Sequence, residues 1–183
     1  IVAEEFAIDP EQVIVVTADT DLTPVDLGSY SSRVTLMTGN ATIEACRPLK
    51  EKLLSAVAEV FQCTPESLTL SEGRVVSLRD TSKTVDFAEA VQWAEAKFGT
   101  LGSLGSYTPP RRGGKFKGAG VGPSPNYSYS ACVAEVECDP ETGIYQVHKL
   151  WLAHDVGRSI NPVQVMGQVE GSAYMGLGEV MME

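Results

Sequence analysis

Apolar residues recur at intervals of three and four along residues 41–61 and again along residues 87–98. This spacing predicts two amphipathic helices, each with one wide apolar face. Asn40 is the expected cap of the first helix. Asp86 and Gly99 are expected to begin and end the second.

The N-terminal part of the chain contains further short elements. Residues 1–7 are typical of the last turns of a helix, which Asp9-Pro10 ends. The β-branched run 13–17 predicts a buried strand. Segments 67–70 and 74–78, joined through a polar turn, predict a β-hairpin.

The C-terminal part predicts a long antiparallel hairpin followed by a helix. Residues 127–138 and 144–153 alternate in polarity around a turn with the composition Asp-Pro-Glu-Thr-Gly. Asn161-Pro162 then predicts the start of a helix that is rich in glycine as far as Gly178. Because helices and antiparallel hairpins occur in separate runs, the predicted fold class is α+β.

Two segments have the composition of long loops, residues 20–40 and the glycine- and proline-rich residues 99–126. The second loop suggests two lobes, 1–98 and 127–183. The chain begins with Ile1, and residues 171–183 have the pattern of a helix cut short. We therefore expect the whole chain to be part of a domain of a larger subunit.

Composition excludes several classes of function. The formal net charge is −10 at pH 7, so a general electrostatic grip on nucleic acid is not expected. The chain has neither an apolar run long enough to cross a membrane nor the pattern of a signal peptide, and we expect a cytoplasmic protein that does not bind membranes. The four cysteines form no CxxC pair, which favours reduced structural thiols and no metal site.

Residues 154–178 carry the most specific candidate chemistry. Asp155, Asn161 and Gln168 place one carboxylate and two amides beside the start of a helix, where backbone N–H groups are unpaired. Such a set suits the edge of a heterocycle and its phosphate. The sequence motifs of serine hydrolases, P-loop proteins, zinc proteases and Rossmann proteins are missing. His154 next to Asp155 is a weak candidate base, since adjacent strand residues face opposite sides.

Four groups of motifs resemble the large, molybdopterin-binding subunit of the molybdenum hydroxylases, the family of xanthine dehydrogenase, aldehyde oxidase and aerobic carbon monoxide dehydrogenase. They follow the order found in that family and are spread over most of the chain. The groups are Asp19-Thr-Asp with Gly28-Ser-Tyr-Ser-Ser-Arg33 and Met37-Thr-Gly-Asn-Ala41; Val133-Ala-Glu-Val-Glu137 with Asp139-Pro-Glu-Thr-Gly143; His154-Asp-Val-Gly157 with Ile160-Asn-Pro162; and Gly167-Gln-Val-Glu-Gly171 with Gly176-Leu-Gly178.

The resemblance implies a set of cofactor contacts and no protein ligand to the metal. Residues 31–33 and 39–41 would hold the pterin and its phosphate from one side, and Asp155, Asn161 and Gln168 would line the other side. The implied cofactor is molybdenum-molybdopterin, in its cytosine dinucleotide form, with FAD and [2Fe-2S] or [4Fe-4S] clusters on partner subunits or domains. The implied cofactor-binding residues are Ser31, Ser32 and Arg33; Gly39, Asn40 and Ala41; and Asp155, Asn161 and Gln168.

Within the family, residues 28–35, 107–110 and 121–125 most resemble the 4-hydroxybenzoyl-CoA reductase branch. That branch removes a phenolic hydroxyl group from an aromatic thioester, whereas other branches hydroxylate xanthine or aldehydes. The catalytic glutamate of the family belongs to a GxGE loop beyond this chain. Glu183 comes too early for that role and Glu179 belongs to the helix, so no catalytic residue is assigned and the isolated chain is expected to be inactive.

Two other classes of function stay open on the residues alone. One is a non-catalytic module that binds a nucleotide or a partner subunit through residues 99–126. The other is a hydrolase that uses His154 and Asp155. The leading hypothesis is a cofactor-binding region of an oxidoreductase that acts on an aromatic or heterocyclic substrate.

Overall fold

A computed structural model describes residues 1–24, 28–29, 33–110 and 128–182, which form two compact units, Ile1–Pro125 and Asn126–Glu183. Helices and antiparallel strands make the fold α+β, as predicted. The elements of the first unit are α1 (Val2–Phe6), α2 (Val34–Phe61), β1 (Leu68–Ser71), β2 (Arg74–Ser77), β3 (Thr84–Asp86) and α3 (Phe87–Phe98). Those of the second are β4 (Tyr129–Cys138), β5 (Tyr145–Asp155) and α4 (Pro162–Met182).

The core of the first unit lies where α2 and α3 pack on a three-stranded antiparallel sheet of order β1-β2-β3. Leu53, Val57 and Val75 are its largest fully buried side chains. Alanines on both helices allow a close approach, and Phe61 packs edge-on against Trp93 with ring centroids 6.3 Å apart. The core is completed by Ala56, Ala58, Leu68, Val85, Ala90 and Ala94.

Helix α1 is attached to both parts of this core. The Phe6 ring packs against Phe87 with centroids 5.8 Å apart, and the carbonyl of Ala7 accepts a hydrogen bond from the Gly73 N–H at 2.6 Å. Lys50 of α2 lies 3.4 Å from the Glu5 carboxylate. The helix ends at Ala7 in a left-handed conformation, so the predicted helix before Asp9-Pro10 is confirmed.

The first hairpin is confirmed, and its turn explains its register. Glu72 and Gly73 have φ values of 49° and 72°. Positive φ at both central residues matches the two-residue turns that suit the twist of antiparallel strands, and it pairs Ser71 with Arg74. The third strand, β3, was not predicted. It is only three residues long and leads directly into α3.

The predicted buried strand at 13–17 is wrong. These residues form no strand, and Ile14, Val15 and Val16 have exposed fractions of 90, 74 and 59%. β-branched composition favours extended backbone, but a strand also needs a neighbouring strand to pair with. Among the described residues, no strand is paired with this run.

The predicted start of α2 is also wrong. The helix begins at Val34, so Asn40 lies inside it rather than at its cap, and residues 34–40 are not a loop. The Asn40 amide donates to the carbonyl of Leu36 at 2.6 Å, a bond within the helix. The small and hydroxyl-bearing residues of this segment predicted a loop. In the structure Gly39 is buried beside Ile1, and this packing favours helix over residues 34–40.

Residues 101–110 run without regular structure and pack against the first half of α2 at one point. A Cβ atom added to Gly105 would lie 2.6 Å from the Ala45 nitrogen and 2.8 Å from the Ala45 Cβ, and it would overlap the carbonyl oxygen of Ala41. Only glycine fits this approach. The remainder of the predicted glycine- and proline-rich loop, 111–127, lies outside the described residues.

The second unit is built on the predicted long hairpin, which is confirmed. Strands β4 and β5 pair antiparallel from Tyr129 opposite Asp155 to Cys138 opposite Tyr145, with a bulge between Glu135 and Val136. Asp139 closes the turn by accepting bonds from the Glu141 N–H and from the Thr142 hydroxyl. These bonds, with that of Thr142 first in importance, lower the pKa of the Asp139 carboxyl group.

Helix α4 lies over one face of the hairpin. The Tyr145 hydroxyl donates to the carbonyl of Val180 at 2.9 Å, and a largely apolar cavity of about 470 Å³ lies between the hairpin and the helix. Among the described residues of this unit, not one is buried. Across the described part of the chain, the helices are too short or too polar to span a bilayer.

Candidate functional site

The passage from β5 to α4 is held by two short side-chain to backbone bonds. The Asp155 carboxylate accepts from the Gly157 N–H at 2.9 Å, which turns the chain immediately after the strand. Gly157 has a φ of 68°, a conformation that favours glycine. This turn fixes the direction in which the Asp155 side chain leaves the hairpin.

Asn161 caps α4. Its side-chain oxygen accepts from the Gln164 N–H at 3.1 Å, and its carbonyl accepts from the Val165 N–H at 3.0 Å. Pro162 follows at the first helical position, where its missing N–H costs nothing. The cap uses the oxygen of the Asn161 amide, and its side-chain N–H donors take no part in it.

Gln168 lies two turns along the helix from Asn161, on the same side as Gln164. Its side chain is exposed and makes no hydrogen bond within the described chain. The spacing therefore gives α4 a polar stripe of Asn161, Gln164 and Gln168 that starts at its N-terminus, where the helix dipole favours negative charge.

The donor chemistry of this stripe suits the edge of a heterocycle. Amides donate and accept at fixed positions and can therefore bond to the edge of a heterocycle. Nowhere in the described ranges do three His, Cys, Asp or Glu side chains come together to hold a metal.

The second group of predicted site residues lies in the first unit, at the start of α2. Arg33 is the N-cap residue, and its carbonyl accepts from the Met37 N–H at 2.9 Å. Gly39, Asn40 and Ala41 are one to two turns further on, where helix geometry pairs backbone N–H groups with the carbonyls four residues earlier. The unpaired N–H groups lie instead in the first turn, at 34–36.

The expected cofactor-binding role of Gly39, Asn40 and Ala41 stays a prediction. Gly39 is buried near Ile1 and Ala41 is covered by Gly105, so both serve packing in this structure. Sequence reasoning missed Thr35 and Leu36 as sources of free N–H groups because it placed the helix start too late. Ser31 and Ser32 lie outside the described residues.

His154 and Asp155 do not form a catalytic pair. The two side chains alternate on strand β5, and no hydrogen bond joins them. His154 lines the cavity between the hairpin and α4 together with Ser130 and Cys132. His154 and Asp155 are therefore not in contact as the base and the orienting acid that the hydrolase hypothesis requires.

The four cysteines are all free thiols in different environments. Cys46 is buried in α2, and burial, followed by the nearby Glu5 carboxylate, raises the pKa of its thiol. Cys132 and Cys138 are exposed.

We expect iodoacetamide at pH 8 to modify Cys132 and Cys138 well before Cys46, because the thiolate is the reacting species and Cys46 is both buried and harder to ionise. Peptide mass spectrometry over time would give the order. In denaturant the modification rates of Cys46, Cys132 and Cys138 should become equal. A Cys46 that reacts in the folded chain as fast as Cys138 would contradict the buried position.

The chain matches the molybdopterin cofactor-binding domain family over residues 1–183. It is 30% identical to the gamma subunit of the 6-hydroxypseudooxynicotine dehydrogenase complex of Paenarthrobacter nicotinovorans. The match covers the whole of this chain and 22% of that subunit. It is also 30% identical to a probable hypoxanthine oxidase of Escherichia coli. That match covers 99% of this chain and 18% of the oxidase.

The structure is similar to carbon monoxide dehydrogenase from Oligotropha carboxidovorans, with a TM-score of 0.73 and 25% identity, covering 93% of this chain and 20% of that one. The chain thus spans about a fifth of the length of these relatives.

The class defined by the fold and these similarities is a molybdopterin cofactor-binding domain. The chain belongs to the molybdopterin cofactor-binding domain family.

Proposed function

We propose that this chain holds one side of the molybdenum-molybdopterin cofactor in a larger oxidoreductase subunit that acts on an aromatic or heterocyclic ring. The observation that carries the proposal is the polar stripe of α4. Asn161 and Gln168 present amide groups on one side of the helix, beside the Asp155 turn.

Each residue has a separate task in this proposal. The N–H donors of Asn161 and the amide of Gln168 bond to the edge of the pterin or its dithiolene and orient it. The Arg33 guanidinium, at the start of α2, supplies a forked donor for phosphate. The cofactor, when bound, supplies the two-electron redox chemistry.

Two substitutions test the amides without disturbing the fold. Asn161→Asp keeps the oxygen that caps α4 but removes the N–H donors, and Gln168→Glu keeps the side-chain shape. We expect each to weaken cofactor binding by about 1–3 kcal/mol, because an acceptor on the cofactor loses its partner. The measurement is molybdenum per polypeptide in the subunit at the length of the relatives.

Gln146→Glu is the matched control. Gln146 is an exposed amide on β5, opposite Glu137, and this substitution makes the same change of charge and shape as Gln168→Glu. It should leave the molybdenum content unchanged. Equal molybdenum content in the Gln168 and Gln146 variants, both folded by circular dichroism, would refute the cofactor contact and favour a module that binds something else.

For the substrate, the names of two relatives include heterocyclic compounds, hypoxanthine and nicotine. They support oxidation of a heterocyclic ring. The resemblance of residues 28–35 and 107–110 to 4-hydroxybenzoyl-CoA reductase supports reductive removal of a hydroxyl group from an aromatic thioester. Assays of the intact complex with both substrate types, each with a suitable electron acceptor or donor, would separate the two.

The cytosine dinucleotide form of the cofactor, and FAD and iron–sulfur clusters on partner subunits or domains, complete the proposal. One relative is named as a subunit of a complex, which supports partner subunits. Mass spectrometry of the nucleotide released by acid and the absorption spectrum of the purified complex would test both.

A further inference from the structure

The long hairpin has an open cleft at the end where β4 begins and β5 ends. Tyr129, the first residue of β4, pairs directly with Asp155, the last residue of β5. The next pair on the same face of the hairpin is Ala131 with Ala153. These four residues are among those that line the cleft, which has a volume of about 390 Å³.

The carboxylate of Asp155 is a fixed hydrogen-bond acceptor in this cleft. Its Oδ1 atom accepts from the Gly157 N–H at 2.9 Å, and this turn holds the side chain in place. Among the described residues, no donor is bonded to the other oxygen, Oδ2. An ionised carboxylate only accepts hydrogen bonds, and it can accept two parallel bonds from neighbouring N–H groups. The cleft therefore suits a ligand whose edge carries N–H donors.

The other side chains of the cleft suit a flat ring. Tyr129 is 72% exposed, and within the described part of the chain its ring packs against no other aromatic ring. Ala131 and Ala153 carry only methyl groups, so they leave space beside the tyrosine. An aromatic side chain beside small apolar ones can pack against a planar ligand ring. Together these side chains indicate a site for a planar heterocycle with N–H donors at its edge.

We propose that this cleft binds the pyrimidine ring of the pterin, whose amino group and adjacent ring N–H donate to Asp155 while Tyr129 packs against the ring. A pterin carries these two donors side by side. The other rings considered above do not, because neither the cytosine of a nucleotide nor hypoxanthine has two adjacent N–H donor groups, and a hydroxybenzoyl ring has only its hydroxyl. The Asp155 carboxylate also disfavours a phosphate or another anionic group in the cleft.

This inference rests on the proposed function, because it requires the molybdopterin cofactor, and it adds a contact that the proposed function does not contain. Asn161 and Gln168 then bond to other polar atoms of the pterin or to its dithiolene. The two assignments involve different residues, so substitutions can test them separately.

Tyr129→Ala tests the ring contact in the cofactor-loaded subunit at the length of the relatives. We expect molybdopterin to be released about tenfold faster than from the unchanged subunit, because the pterin loses its aromatic neighbour. Tyr129→Phe keeps the ring and should leave the release rate unchanged. The measurement is the fluorescence of oxidised pterin in the filtrate after increasing times of incubation. Hydrogen exchange of β4 and β5 should be the same in both variants, which excludes loss of the hairpin as the cause.

Asp155→Asn tests the acceptor in the same subunit. The amide keeps an oxygen for the Gly157 N–H but presents a donor where the pterin N–H groups need an acceptor, so release should again be about tenfold faster. Asp139→Asn is the matched control at the other end of the hairpin, where Asp139 Oδ1 accepts from the Glu141 N–H, also at 2.9 Å. It should leave the release rate unchanged.

An unchanged release rate in both Tyr129→Ala and Asp155→Asn would overturn the inference. The proposed function would still stand if Gln168→Glu lost molybdenum, whereas unchanged molybdenum content in that variant would refute both. Equally fast release from Tyr129→Phe or from Asp139→Asn would also overturn the inference, because the cause would then not be the ring or the cleft. So would a higher KM for the substrate without faster release, which would assign the cleft to the substrate.

Discussion

Replacement of Leu53 by alanine should lower the free energy of unfolding of the first unit by about 2–5 kcal/mol. Leu53 is 2% exposed and lies in the core between the two long helices and the sheet, so truncation removes buried apolar surface and leaves a cavity. The measurement is urea unfolding of the 183-residue chain followed by Trp93 fluorescence. A Trp151→Phe background removes the signal of the second unit.

Leu78→Ala is the control for this experiment. Leu78 follows β2 and is 62% exposed. The same truncation there should change the free energy of unfolding by no more than about 0.5 kcal/mol, because surface substitutions remove little buried area. Similar losses for the two variants would mean that the described core does not stabilise the unit.

Gly105→Ala should release residues 101–110 from α2 and destabilise the first unit by about 1–3 kcal/mol. The added Cβ would overlap the Ala41 carbonyl oxygen and crowd Ala45. Backbone atoms inside a helix cannot move aside as the end of a flexible side chain can. Hydrogen exchange of residues 101–110 would report the release, and urea unfolding would report the loss of stability.

Gly102→Ala provides the comparison, because an added Cβ at Gly102 has no neighbour within 4 Å. It should leave the exchange of the segment unchanged and can add stability by restricting the unfolded chain. If Gly105→Ala behaved in the same way, the close contact between this segment and α2 would not exist in solution.

The parts of the fold that were predicted correctly carry their own local signals. The periodic apolar face of α3, Gly99 after it and the Glu72-Gly73 turn each depend on neighbouring residues. The hairpin of β4 and β5 follows from strict alternation around a turn that Asp139 closes with its own side chain.

The errors occurred where tertiary contacts decide the structure. Residues 34–40 have a composition typical of a loop, but Gly39 fits beside Ile1 only when α2 extends back over this turn. Residues 13–17 have strand composition, but pairing depends on a neighbour that is distant in sequence or outside the described chain.

The role of the candidate site residues in cofactor binding stays a prediction, and the structure shows where the described ones lie. Asp155, Asn161 and Gln168 were identified from residue type and spacing, and the structure shows that Asn161 both caps α4 and shares a face with Gln168. Because α2 begins at Val34 rather than at Ala41, the first-turn N–H groups that have no partner within the helix are those of 34–36 rather than 41–43.

The exposed run Ile14-Val15-Val16 also bears on how this chain behaves at high concentration. Short uncharged segments of high β-propensity can pair between molecules and start aggregation. Here acidic residues flank the run on both sides, Asp9 and Glu11 before it and Asp19 and Asp21 after it. Their charges keep copies of the segment apart at neutral pH, so they act as gatekeepers whose protection weakens as acid neutralises them.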